Sequence, residues 1–174
     1  AALTNAFDRP IVFKNLYASL RIQAIVHHLP ESLFIVTHRN EVDNGHSLLE
    51  ARFKRFHDYE PWLSLEPPEI EQLKTLPSHQ QVIQQIRHTH QTIDADMQTA
   101  FVPASRRFDL VYEDFCENPR GVIDSIQAFM RQNGLDVKSR NAELPVSFTR
   151  REEVRIDKKL YEALCAYSES LPVR

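Results

Sequence analysis

Arg39 and Ser47 stand eight residues apart in the stretch Leu33 to Ser47, LFIVTHRNEVDNGHS, and their types and spacing suit a phosphate. A guanidinium grips a phosphate through two parallel N–H donors, and a hydroxyl can add a third bond. An apolar run leads into the arginine and a helix start follows it. Open α/β sheets bind ligands beyond the carboxyl ends of their strands, and a helix N-terminus adds partial positive charge there. The corner therefore reads as an anion site. Taken alone, Arg39 also reads as a helix-start arginine paired with Glu41 or Asp43, and Ser47 as a small residue at a helix contact.

The eight histidines offer little competing chemistry. His27 and His28 are adjacent and His88 and His90 two apart, so on helices each pair points to different sides and cannot readily share a metal. No metal site is expected. His38 and His46 flank the corner and could orient a ligand. Cys116 and Cys165 have neither metal nor redox spacing and read as buried thiols. No nucleophilic triad is supported.

The elements that must carry this corner follow from periodicity and caps. Pro10 to Lys14, PIVFK, and Leu33 to Thr37, LFIVT, read as strands buried on both faces, with a helix over Tyr17 to Leu29 between them. Asn40 can cap the next helix, which continues through Leu48, Leu49, Arg52, Phe53 and Phe56 to about His57. Gly45 inside it costs about 1 kcal/mol against alanine, which a close neighbour or ligand would explain. Asp58 to Pro77, holding Trp62, reads as a loop with a short helix.

A long helix then runs from His79 to about Ala100, with Ser78 as cap and Val82, Ile86, Ile93 and Met97 as its apolar stripe. Its Gln and His residues read as a solvated face. Arg107 to Tyr112 reads as a third strand, and Pro119 to Asn133 as a helix with proline in its first turn and Gly134 just beyond its end. A last amphipathic helix covers about Asp157 to Ser170. Alternating strands and helices predict one α/β domain over 1–174 with a three-strand parallel core.

At 174 residues, 42% hydrophobic and 26% charged, the chain can bury a single core, and nothing in it suggests disorder. A net charge of -3 argues against bulk binding to nucleic acid or to an anionic membrane, so any phosphate contact is local. No apolar run approaches the roughly 18 residues of a spanning segment, and AALTNAFDRP lacks signal-peptide character. The expectation is a cytoplasmic protein with no membrane segment.

In order, these features resemble the sulfotransferase family, which transfers a sulfuryl group from 3'-phosphoadenosine 5'-phosphosulfate (PAPS). Three pieces carry the likeness: Arg39 with Ser47 after LFIVTH, VFKN at Val12 to Asn15, and VYEDFCENP at Val111 to Pro119. The resemblance implies a three-layer parallel sheet with flanking helices, P-loop-nucleotide-hydrolase-like and incomplete at its N-terminus. It implies that Arg39 and Ser47 hold the 3'-phosphate, that Lys14 lies near the sulfuryl group, and that Tyr112 lies near the adenine. Where the family usually has a proline after the arginine pair, this chain has Glu41.

By themselves Lys14 reads as a surface lysine and Tyr112 as a core residue with a locally satisfied hydroxyl. The family's phosphate loop has no counterpart, since Gly45, Gly121 and Gly134 lie outside any such loop, and no general base stands out. The implied reaction uses PAPS and no metal, with a glycan or small molecule offering a hydroxyl or amine as acceptor. The alternatives are a related nucleotide-binding or kinase-like transferase, and a non-catalytic binding domain of the same fold.

Overall fold

In the computed structural model, residues 10–135, 137, 143–150 and 153–172 are described. They divide into two compact units, one of residues 1–38 and 96–150, the other of residues 39–95 and 151–174.

The first unit holds the sheet. Strands β1 (Phe34–His38) and β2 (Arg107–Val111) pair in parallel, with Phe34 opposite Arg107 and His38 opposite Val111. A 3-10 turn (Leu16–Leu20) and helix α1 (Ile22–His28) precede β1. The single helix expected over Tyr17 to Leu29 is thus divided at Arg21, whose φ of -140° and ψ of 23° are not helical.

Pro10 to Lys14 forms no strand, which corrects the expected three-strand core to a two-stranded sheet among the described residues. Immediately after this run, the Asn15 side chain accepts from Tyr17 N at 3.0 Å and turns the chain into the 3-10 segment. Val12 and Phe13 stay largely exposed, at 74% and 72%, so the apolar run has found no ladder to bury it. Apolarity marked the residues without supplying a partner strand.

Helices α5 (Tyr112–Glu117) and α6 (Pro119–Gln132) follow β2 directly. Pro119 occupies the first turn of α6, Asn118 caps it by accepting from Gly121 N at 3.0 Å, and Gly134 beyond its end has φ 79°, a left-handed value that suits glycine. Phe129 of α6 lies 5.5 Å from Phe108 of β2, centroid to centroid, and is buried.

The second unit is helical. Helix α2 (Glu41–Phe56) starts at the Asn40 cap, whose side chain accepts from Val42 N and Asp43 N. The short helix Ile70–Leu73 is α3, the long helix Ser78–Thr99 is α4, and the last helix Lys158–Ser170 is α7; residues 96–99 of α4 are counted with the first unit. Leu49, Val82, Ile83, Ile156 and Leu164 form the buried centre.

At Gly45 side chains of α4 and α7 pack close against the α2 backbone. A Cβ there would meet Leu164 Cδ1 and Val82 Cγ2 at 3.2 Å each and Ile83 Cδ1 at 3.4 Å. The α4 apolar stripe is buried as expected. Its polar face is not wholly solvated, because Gln81, Gln85 and Arg87 are buried too. Gln81 donates to Leu76 O at 2.8 Å, Gln85 donates to Leu63 O and Leu65 O, and Arg87 pairs with Glu41. Buried polar groups are usually hydrogen-bonded, and the donors of these three are, although Gln85 Oε1 has no partner among the described residues.

Candidate functional site

The phosphate corner forms at the start of α2. Arg39 follows the last residue of β1, and its Nη1 donates to Ser47 Oγ at 3.3 Å. That hydroxyl in turn donates to the Asp43 carbonyl at 2.9 Å, one helical turn back. The two residues singled out by their spacing therefore meet, each half-buried.

Two local features decide what this corner can bind. Asn40 occupies the Val42 and Asp43 N–H groups, so an anion here is recognised by side chains more than by the helix backbone. Glu41, the first helical residue, would repel an anion were it not committed elsewhere. Its carboxylate accepts from Arg87 Nε at 2.8 Å and Nη2 at 2.7 Å, and from Ser168 Oγ at 2.6 Å. The Arg87 hydrogen bond outweighs burial and raises the arginine's pKa.

His46 lies beside Ser47 in sequence but faces the interior. Its Nε2 accepts from Arg155 N at 3.0 Å, and its ring meets Tyr161 edge-on at 5.4 Å. Burial lowers its pKa, and the charges of Arg155 and Arg39 lower it further against Glu50 and Asp43. An accepting Nε2 belongs to neutral imidazole, so His46 serves packing. Farther along α2, Arg155 and Lys54 both bond Glu50 and hold its carboxyl down at about 2.

In the first unit, His38 closes β1 and its Nε2 lies 2.6 Å from Asp109 Oδ1 on β2. Arg107 grips the same carboxylate through Nε and Nη2 at 2.8 to 3.0 Å. Burial works to raise Asp109, but the bonds from Arg107 and His38 prevail and hold it below the usual carboxylate range. The pairing of β1 with β2 brings this triplet together, and no sequence spacing marks it because His38 lies 71 residues from Asp109.

Lys14 is exposed on the irregular segment before the 3-10 turn, and Tyr112 is the half-buried first residue of α5. Both belong to the first unit, whereas Arg39 and Ser47 belong to the second. Tyr112 follows Val111, the last residue of β2, which pairs with His38, the last residue of β1. This is the carboxyl edge of the sheet, where α/β proteins bind ligands.

The donor set fits a phosphate-bearing ligand: an arginine fork, a hydroxyl and a helix start whose leading carboxylate is neutralised. Among the described residues no group of His, Cys, Asp and Glu could hold a metal, and no helix is long and apolar enough to cross a membrane. No curated protein and no solved structure matches the chain. The family model described as "Sulfotransferase family" matches residues 2–136, which include Lys14, Arg39, Ser47 and Tyr112. The chain belongs to the sulfotransferase family.

Proposed function

We propose that this protein moves a sulfuryl group from PAPS to the hydroxyl or amine of a glycan or small-molecule acceptor, with 1–174 acting as one sulfotransferase-like domain. The observation that carries the reading is the contact of Arg39 with Ser47 at the start of α2. In this reading Arg39 and Ser47 grip the terminal 3'-phosphate, and Ser47 turns its hydroxyl from Asp43 O to do so. Two donors converging on one phosphate distinguish a terminal group from a bridging one.

PAPS supplies the transferable sulfuryl group. Lys14 steadies the charge gathering on the leaving phosphate as the bond to the acceptor forms, and Tyr112 lies against the adenine. Transfer chemistry of this kind rests mainly on positioning and charge stabilisation.

Calorimetry with 3'-phosphoadenosine 5'-phosphate tests the reading. Binding to the intact protein is expected, with Arg39→Ala costing about 2 kcal/mol or more through loss of a charged hydrogen-bond partner. Equal affinity in the two proteins would remove Arg39 from the site. Tighter binding of ATP would favour a kinase-like transferase instead.

A further inference from the structure

Arg52, midway along α2, is a cation with no exposed surface. Its Nη1 is in use, donating to Gln81 Oε1 at 2.7 Å and to Tyr59 O at 3.1 Å. Its Nε and Nη2 are shielded from solvent and have no hydrogen-bond partner among the described residues. These two nitrogens lie side by side on one edge of the planar guanidinium. That edge is the fork that holds carboxylates and phosphates with parallel bonds.

The surroundings make the unused fork more telling. Trp62 lies over the group, with the guanidinium carbon 5.2 Å from its ring centroid. Among the described residues no carboxylate is bonded to Arg52; Glu60 acts on it only through its field and is itself exposed. Burial pulls the arginine's pKa down to about 10. As packed, no water-sized space touches these donors, so both they and the charge lack compensation, and an unpaired buried charge is strongly destabilising. An anion answers both needs.

We propose that Arg52 binds a small oxyanion side-on through Nε and Nη2 beneath Trp62, at a site distinct from the Arg39 corner. Arg52 is five positions beyond Ser47, roughly 140° around the helix, so the two sites lie on different faces of α2. The segment covering Arg52 is pinned by Gln85 Nε2 to Leu63 O at 2.9 Å and Leu65 O at 2.7 Å, and by Trp62 Nε1 to Leu65 O at 2.9 Å. Because Arg52 has no accessible surface, an ion enters only when these bonds open and the segment lifts from the guanidinium edge, so binding is slow compared with diffusion. Ser64, at φ 78°, gives this segment a strained backbone position from which to open.

Trp62 is the chain's only tryptophan and reports directly on the site. The experiment titrates inorganic phosphate against chloride at constant ionic strength, following Trp62 emission and the melting temperature. Four proteins are compared: the full chain, Arg39→Ala, Arg52→Lys and Arg52→Met. Phosphate is expected to give a saturating emission change and a higher melting temperature in the first two, and neither in the Arg52 variants. Arg52→Lys keeps the charge without the fork, and Arg52→Met replaces the charge with an apolar chain.

A response lost in Arg39→Ala would assign the binding to the other corner, and one retained in Arg52→Lys would exclude the fork; either overturns the proposal. Should the Arg52 variants fail to fold, the first two proteins still decide, because equal responses to phosphate and chloride overturn it. Failure here leaves the Arg39 reading untouched, since that reading is measured with the adenosine ligand.

Discussion

Single side chains in the second unit are held by contacts tight enough to predict their replacement. At Gly45 an added methyl gains helix propensity of about 1 kcal/mol, yet it presses on Val82, which is stiff at χ1, and on the flexible ends of Leu164 and Ile83. Gly45→Ala should therefore be near neutral. Gly45→Val, which adds bulk and a branched β-carbon, should lose about 1–3 kcal/mol in urea unfolding. Full retention of stability in Gly45→Val would mean that the helices separate easily at this point.

His46 makes a prediction in pH. Its folded pKa lies below the ordinary value of 6.5, so below that pH the unfolded chain takes up more protons than the folded one. Stability contributed by neutral His46 is complete above about pH 6.5 and is lost as pH falls toward the folded pKa. His79 is shifted the same way by burial, so the wild-type slope contains both. His46→Gln, which can still accept from Arg155 N, should show a shallower fall in melting temperature between pH 7.5 and 5. An unchanged slope would mean that His46 is not the titrating group.

At the scale of elements, α2 depends on what its acids do. Glu41 stands at the first helical position, where proline is also well accommodated, but it carries the pairing to Arg87 and Ser168. Glu41→Pro should keep the helix start and lose about 2 kcal/mol, because Arg87 is left largely buried without its carboxylate. Circular dichroism with denaturant unfolding separates the two effects. If stability holds, the remaining partner, the Pro172 carbonyl 3.0 Å from Arg87 Nη1, is sufficient.

Elements whose signals are local were readable in the sequence. Asn40, Asn118, Pro119, Gly134 and Asp157 act within a few residues of their own position, and each does in the fold what its type suggests. The contact of Arg39 with Ser47, eight residues on, was readable for the same reason. The burial of Arg52, Gln81, Gln85 and Arg87 was not, because their partners are Tyr59, Leu63, Leu65, Leu76 and Glu41, which only the folded chain brings near. Pro10 to Lys14 failed as a strand for the complementary reason: an apolar run specifies burial, while a strand also needs a neighbour to bond.

For the molecule as a whole, the division into two units separates the candidate residues, with Lys14 and Tyr112 in one and Arg39 and Ser47 in the other. Each half of the proposed ligand contact can thus be weakened independently. Arg39→Ala and a Tyr112→Ala variant are each expected to weaken binding of 3'-phosphoadenosine 5'-phosphate, and losses that add would show that the two contacts act through separate parts of the ligand. Strong non-additivity in calorimetry would mean that the two contacts form as one.

The parallel pairing of β1 with β2 also governs how the chain reaches this state. Everything from Arg39 to Arg106 lies between the two strands, so no hairpin can nucleate the sheet and a long loop must close before its first bond forms. The contacts of α2 with α4, which lie within that loop, do not wait for its closure. Sheet formation is then a late event in folding, and Val36→Ala, in the buried centre of β1, should hasten unfolding while leaving the refolding rate nearly unchanged. Stopped-flow refolding that slows in proportion to the lost stability would instead put the sheet in the folding nucleus.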